Sequence, residues 1–131
     1  MSNTDNQFIE PTRSELEILQ VLWKDGPSTV RYVNEKLNEH KSEVHYTSTL
    51  KLMQIMLEKG LLFRDDSQMK HIYSAGIEES IIKNFILDKF VKSMYNGSVS
   101  KLMQQLLGNN ETTVEELKEI KRLLKDIENK K

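Results

Sequence analysis

The sequence predicts a mainly α fold with one β-hairpin: three helices and the hairpin, then a lobe of three further helices. Three observations predict it. Apolar residues recur at helical spacing in six separate stretches. Capping residues or glycines punctuate those stretches. Two short runs rich in apolar and aromatic residues, LLFR and HIYSA, stand either side of the polar link DDSQMK.

The first helix starts at Thr12. Thr12 and Glu15 fit a capping box, in which the threonine oxygen takes the Glu15 amide and the glutamate reaches back. Leu16, Leu19, Leu22 and Trp23 follow at helical spacing, with Ile18 and Val21 widening the stripe, and Gly26-Pro27 ends it. Ser28 or Thr29 can cap the second helix, whose apolar face is Val30, Val33 and Leu37 and whose end is the polar run NEHKSE. The third runs from about Tyr46 to Lys59, with Gly60 placed just after its C-cap. Thr49, Leu52, Met53, Met56 and Leu57 form its expected buried arc, flanked by Leu50. Thr47, Ser48, Lys51, Ile55 and Glu58 fall opposite. Three helices followed by a hairpin is the order of a winged helix-turn-helix over residues 1–75.

The second lobe, residues 76–131, is read as helical throughout, with its boundary near Ala75-Gly76. Its first stripe is Ile81, Ile82, Phe85, Ile86, Phe90 and Met94, closed by Asn96-Gly97. Ser98 caps a short helix carrying Val99, Leu102, Met103, Leu106 and Leu107, closed by Gly108. Thr112 with Glu115 reads as a second capping box. The last helix places Leu117, Ile120, Leu124 and Ile127 in a heptad-like seam. These stripes are wide for a lobe of about 50 residues, which buries only part of its apolar surface alone. A partner subunit is the natural cover, which makes this a dimerisation lobe resting on Phe85, Phe90, Leu102, Leu106 and the seam.

Composition narrows the function classes. The chain has 131 residues, no cysteine and a net charge of −1. Without cysteine there is no disulfide, no thiolate zinc site and no cysteine nucleophile. MSNTDNQFIEPT has no apolar core, so no signal peptide is expected, and no stretch approaches the ~20 apolar residues of a membrane span. A soluble protein of the cytoplasm, without membrane insertion, is expected. His40, His45 and His71 match no metal or catalytic motif, so no enzyme, cofactor or metal site is expected. Met53, Met56, Met94 and Met103 sit on apolar stripes and read as packing residues.

The third helix carries the functional reading. In a helix-turn-helix the second helix of the motif enters the major groove of DNA, and its first residues reach base edges. Those positions hold Tyr46, Thr47, Ser48 and Lys51. Hydroxyls bond bases or phosphates, a threonine methyl meets a thymine methyl, and lysine meets guanine or phosphate. The plainer alternative is the solvated side of an amphipathic helix. Arg64, Gln68, Lys70 and His71 make the hairpin a candidate wing against the phosphate backbone, although Asp65-Asp66 fits an ordinary polar turn equally. Bulk charge gives no basic excess: residues 1–75 hold 9 Lys/Arg against 11 Asp/Glu, and residues 76–131 hold 10 against 9.

The order of elements, with the strings PTRSELEILQVLW, YTSTLKLMQIMLEKGLL, HIYSAGIEES, MYNG at 94–97 and the closing helix from Thr112, resembles the penicillinase and methicillin-resistance repressor family of bacteria (BlaI/MecI, with the copper repressor CopY as a relative). The likeness runs from Pro11 to about Lys130. It implies a cytoplasmic homodimeric repressor on a palindromic operator of double-stranded DNA, the regulator type behind antibiotic resistance. It also implies a membrane metalloprotease sensor whose signal leads to cleavage in the C-terminal lobe. The family's DNA-contact positions fall on Thr47, Ser48, Lys51 and Ile55, and relatives usually carry an arginine where Ile55 stands. The cleavage position falls at Gln105-Leu106, where the best-known members have Asn-Phe. The cysteine-rich tail of the copper branch is absent. Two other functions stand beside this one: a regulator that binds a small molecule near Trp23, Phe85 and Phe90, and a winged-helix module for protein interaction.

Overall fold

Local signals at Thr12, Thr29 and Gly60 set the first three helices. The structure, a computed structural model, describes residues 10–40, 43–109 and 111–131. The leader reading of residues 1–9, and Lys41-Ser42 of the polar run, lie outside these. Helix α1 spans Arg13–Asp25. Thr12 Oγ1 accepts the Glu15 N–H at 3.2 Å and the Thr12 N–H donates to Glu15 Oε1 at 2.9 Å, so the expected capping box is present. Helix α2 spans Val30–Asn38 and is capped by Thr29, whose hydroxyl accepts the Tyr32 N–H at 3.1 Å. Ser28 serves the sheet instead: its N–H and carbonyl both bond to Tyr73, at 2.9 and 2.8 Å.

Helix α3 spans Tyr46–Glu58. Its end is a Schellman turn, with the Leu61 N–H on the Met56 carbonyl at 2.9 Å and the Gly60 N–H on the Leu57 carbonyl at 3.1 Å. Gly60 adopts φ +83°, where a side chain would be strained. Strands β1 (Leu62–Asp65) and β2 (Ile72–Ala75) pair antiparallel in a register from Leu62↔Ala75 to Asp65↔Ile72. Ile18, Leu19, Leu22, Val30, Val33, Met53, Met56, Leu61, Leu62 and Tyr73 make one core, so all three helices and the hairpin close on the same centre. On α3, Thr49, Met53 and Met56 are buried and Leu50, Leu52 and Leu57 half-buried. Thr47, Ser48, Lys51, Ile55 and Glu58 are exposed, as the spacing requires.

Helices α4 (Glu79–Tyr95), α5 (Val99–Leu107) and α6 (Val114–Asn129) complete the chain. The fold is therefore the expected one, mainly α with a single hairpin among the described residues. Ser98 caps α5 through the Lys101 N–H at 3.2 Å. The cap of α6 differs from expectation by one residue: Thr113, not Thr112, accepts a main-chain N–H, that of Glu116 at 3.0 Å. Both threonines have an acid three residues on, so the local pattern alone does not choose between them. The chain divides into two compact units, one ending at Ile86 and the other running from Leu87 to Lys131.

Candidate nucleic-acid interface

The position of α3 is held by polar side chains at both ends. At its start, Asn34 Nδ2 donates to Thr49 Oγ1 and to the Val44 carbonyl, each at 2.9 Å. Asn38 takes the Val44 N–H at 2.6 Å and donates back to the same carbonyl at 3.2 Å. Two amides on α2 thus satisfy both backbone groups of Val44 and fix the chain two residues before α3 begins. At the far end, Lys59 Nζ lies 2.7 Å from Glu15 Oε2, and the Glu15 side chain is 2% exposed. Burial pushes the Glu15 carboxyl up, but the bonds from Lys59 and Thr12 outweigh it and hold it below the usual carboxylate range.

This framing leaves one face of α3 free. Thr47, Ser48 and Lys51 stand exposed on it, followed a turn later by Ile55. His45, the N-cap, makes no side-chain cap bond. Tyr46 opens the helix with its ring under the guanidinium of Arg31, whose carbon lies 5.5 Å from the ring centroid. Arg64 is engaged within the hairpin: its Nε sits 2.8 Å from Asp66 Oδ1, and Tyr73 and Asp66 hold its pKa above the usual value. His71 Nδ1 lies 2.7 Å from the same Asp66 oxygen. Lys70 is exposed. The structure brings Lys70 and Tyr46 to one groove, together with Thr29, Arg31, Leu50 and His71. Arg31 was not singled out by sequence reasoning; it lies on α2, outside the motif positions that point to DNA.

The second unit presents the residues assigned to cleavage and, apart from Phe85, those assigned to pairing; Phe85 is half-buried in the first unit. Neither α5 nor α6 has a buried residue. Phe90, Leu106, Leu117, Leu124 and Ile127 are exposed and Leu102 and Ile120 half-buried. Gln105 and Leu106 lie in the last turn of α5, both exposed. Among the described residues no three His, Cys, Asp or Glu side chains gather to hold a metal, and no helix is long and apolar enough to cross a membrane.

Three helices on one core, a hairpin after the third, and a polar face left open on that third helix are the elements of a winged helix-turn-helix. The penicillinase repressor family model matches residues 11–126. The chain belongs to that family, in agreement with the resemblance carried by its local strings. A penicillinase repressor of Bacillus licheniformis is 25% identical over 119 residues, covering 90% of this chain and 91% of that protein. One of Staphylococcus aureus is 23% identical over 125 residues, covering 95% and 98%. The chain is accordingly a DNA-binding transcriptional repressor and not an enzyme.

Proposed function

We propose that this repressor acts in the cytoplasm as a homodimer on a palindromic operator. Residues 1–75 of each subunit bind one half-site and residues 76–131 join the two copies. The observation that carries the reading is the contrast between the two ends of the chain. The first unit closes its own core and leaves a polar reading face on α3, whereas α5 and α6 leave Leu106, Leu124 and Ile127 about half exposed, at 50, 57 and 52%. Apolar faces of that extent in consecutive helices are covered by a partner, and a second copy offers the same face in a two-fold interface.

Pairing supplies what the reading head lacks. One winged helix of a chain with net charge −1 gains little from bulk electrostatics. Two heads joined together make the second binding step intramolecular, which raises avidity by ~100-fold or more. Half-sites about one helical turn apart match the two-fold axis. Tyr46, Thr47, Ser48, Lys51 and Ile55 face the groove in this arrangement, and Arg64 and Lys70 lie toward the backbone.

Cleavage between Gln105 and Leu106, triggered by a membrane metalloprotease sensor, is the proposed release step. The bond is helical, so a protease reaches it after the last turn of α5 opens locally. Severing it detaches α6, with Leu117, Leu124 and Ile127, from the reading head and removes the gain from pairing.

Lys51→Ala tests the reading face. The side chain is exposed, so thermal stability is unchanged. Binding to a preferred duplex weakens by about 1–3 kcal/mol if the lysine reads a base. Equal affinity of variant and parent for the preferred duplex removes that face from the interface.

A further inference from the structure

We propose that Arg31 and Lys70 together hold a phosphodiester of the DNA backbone in the groove beside the start of α3. The proposal rests on the reading of α3 as the groove helix; it adds Arg31, which that reading does not contain, and joins it to Lys70, which that reading already places toward the backbone.

The groove is formed by three elements that meet only in the folded chain: the beginning of α2, the beginning of α3 and the loop of the hairpin. Arg31 comes from the first, Tyr46 from the second, and Lys70 and His71 from the third. Arg31 is held in place by a ring: its guanidinium lies over Tyr46, 5.5 Å from the centroid. A cation–π contact engages the charge of the guanidinium and consumes none of its N–H donors, so the donor edge stays available to an anion. That edge matches two phosphate oxygens at once.

Three cations of the first unit that do not line the groove each have an acidic partner. Lys36 has Glu39 at 3.5 Å, Lys59 has Glu15 at 2.7 Å and Arg64 has Asp66 at 2.8 Å. Among the described residues neither Arg31 nor Lys70 pairs with a carboxylate. In a chain with 20 acidic and 19 basic side chains, two unneutralised cations lining one groove are a local excess. His71 lines it too, with its Nδ1 already on Asp66. Tyr46 is the first residue of α3, so the groove lies immediately beside Thr47 and Ser48. A helix seated in a major groove has strand backbones along its flanks, and a phosphate there is within reach of an arginine stacked on the helix's first residue.

Salt dependence reads such a contact directly. The full chain is titrated with a mixed-sequence duplex of about three helical turns, at several salt concentrations. Three single variants are compared with the parent: Arg31→Gln, Lys70→Gln and, as a charge-matched control on the same helix as Arg31, Lys36→Gln. All three side chains are at the surface, and thermal unfolding checks that each variant folds. Each phosphate contact contributes about 0.9 to the slope of log affinity against log salt. The slope for Arg31→Gln and for Lys70→Gln is expected to fall by about one for each subunit on the duplex, with sequence preference unchanged. Lys36→Gln keeps the parental slope, and so does Arg31→Lys. Slopes for Arg31→Gln and Lys36→Gln that coincide overturn the proposal. So does a loss of affinity for Arg31→Gln at constant slope, which makes the arginine a support for Tyr46 and nothing more. Equal affinity of Lys51→Ala and the parent for the preferred duplex contradicts the groove-helix reading itself, whatever Arg31 does.

Discussion

Glu15 caps α1 through Thr12 and, from its other oxygen, takes the ammonium of Lys59 just past the end of α3. One buried carboxylate therefore ties the first helix to the reading helix. Its pKa is lowered in the folded chain. A lowered carboxylate stabilises the fold fully at neutral pH, and that contribution is lost as pH falls through the folded value. Lys59→Met leaves the carboxylate buried with its cap bonds alone and costs about 1–3 kcal/mol at neutral pH. Urea unfolding of the two proteins shows the difference, and it shrinks as the solution is taken below the ordinary glutamate range. A gap that stays constant into acid contradicts the ion pair as its source. The capping half of this arrangement is legible in the sequence, because Thr12 and Glu15 are three residues apart. The Lys59 half is not, since 44 residues separate the pair. Arg31 was missed for the same reason: Tyr46 meets it, and Lys70 shares its groove, only through the tertiary fold. The exposure of Lys51 was legible because helical spacing alone puts it opposite Met53 and Met56.

Helices and hairpin were legible as elements because each announces itself within a few residues. Period, cap and terminating glycine agree in α1 and α5, and Gly60 ends α3 as its position promises. The exceptions are short-range ambiguities. Thr113 replaces Thr112 because each has an acid three residues on. The Ser28–Tyr73 bridge has one residue on each side and therefore no period to read. Gly76 belongs to this scale as well. Its N–H donates to the Leu61 carbonyl at 2.7 Å, and a Cβ there would sit 2.9 Å from the Gly60 carbonyl oxygen and 3.0 Å from the Leu61 carbonyl carbon. Both neighbours are backbone in the turn that ends α3, so they give way only by shifting the hairpin against the helix. Gly76→Ala is expected to cost about 1–3 kcal/mol, seen as a lower denaturation midpoint. An unchanged midpoint shows that the turn yields freely.

Across the whole molecule, the contrast in burial was legible, and the proposed division of labour rests on it. The first unit has enough apolar positions on three helices and a hairpin to close a core. In the second, α5 and α6 carry apolar stripes with no buried residue among them. Net charge of −1 gave no hint of a nucleic-acid partner, because the cations proposed to meet DNA are placed locally on α2, α3 and the hairpin. Leu124→Asp puts a charge into the proposed seam. It is expected to convert the dimer to monomer in sedimentation and to weaken operator binding by ~100-fold or more, the loss of the intramolecular second step. The reading heads keep their fold, since Leu124 is 57% exposed and outside the core. A variant that sediments as a dimer contradicts the seam.

The most direct test of the central claim is selection of bound duplexes from a randomised pool, with the full-length chain at physiological salt, where specific contacts outlast counterion release. The account predicts recovery of a palindrome whose half-sites lie about one helical turn apart, lost from the pool when Leu124→Asp is used. Recovery of single, unpaired half-sites contradicts dimeric recognition. No enrichment by a folded dimer contradicts sequence-specific operator binding altogether.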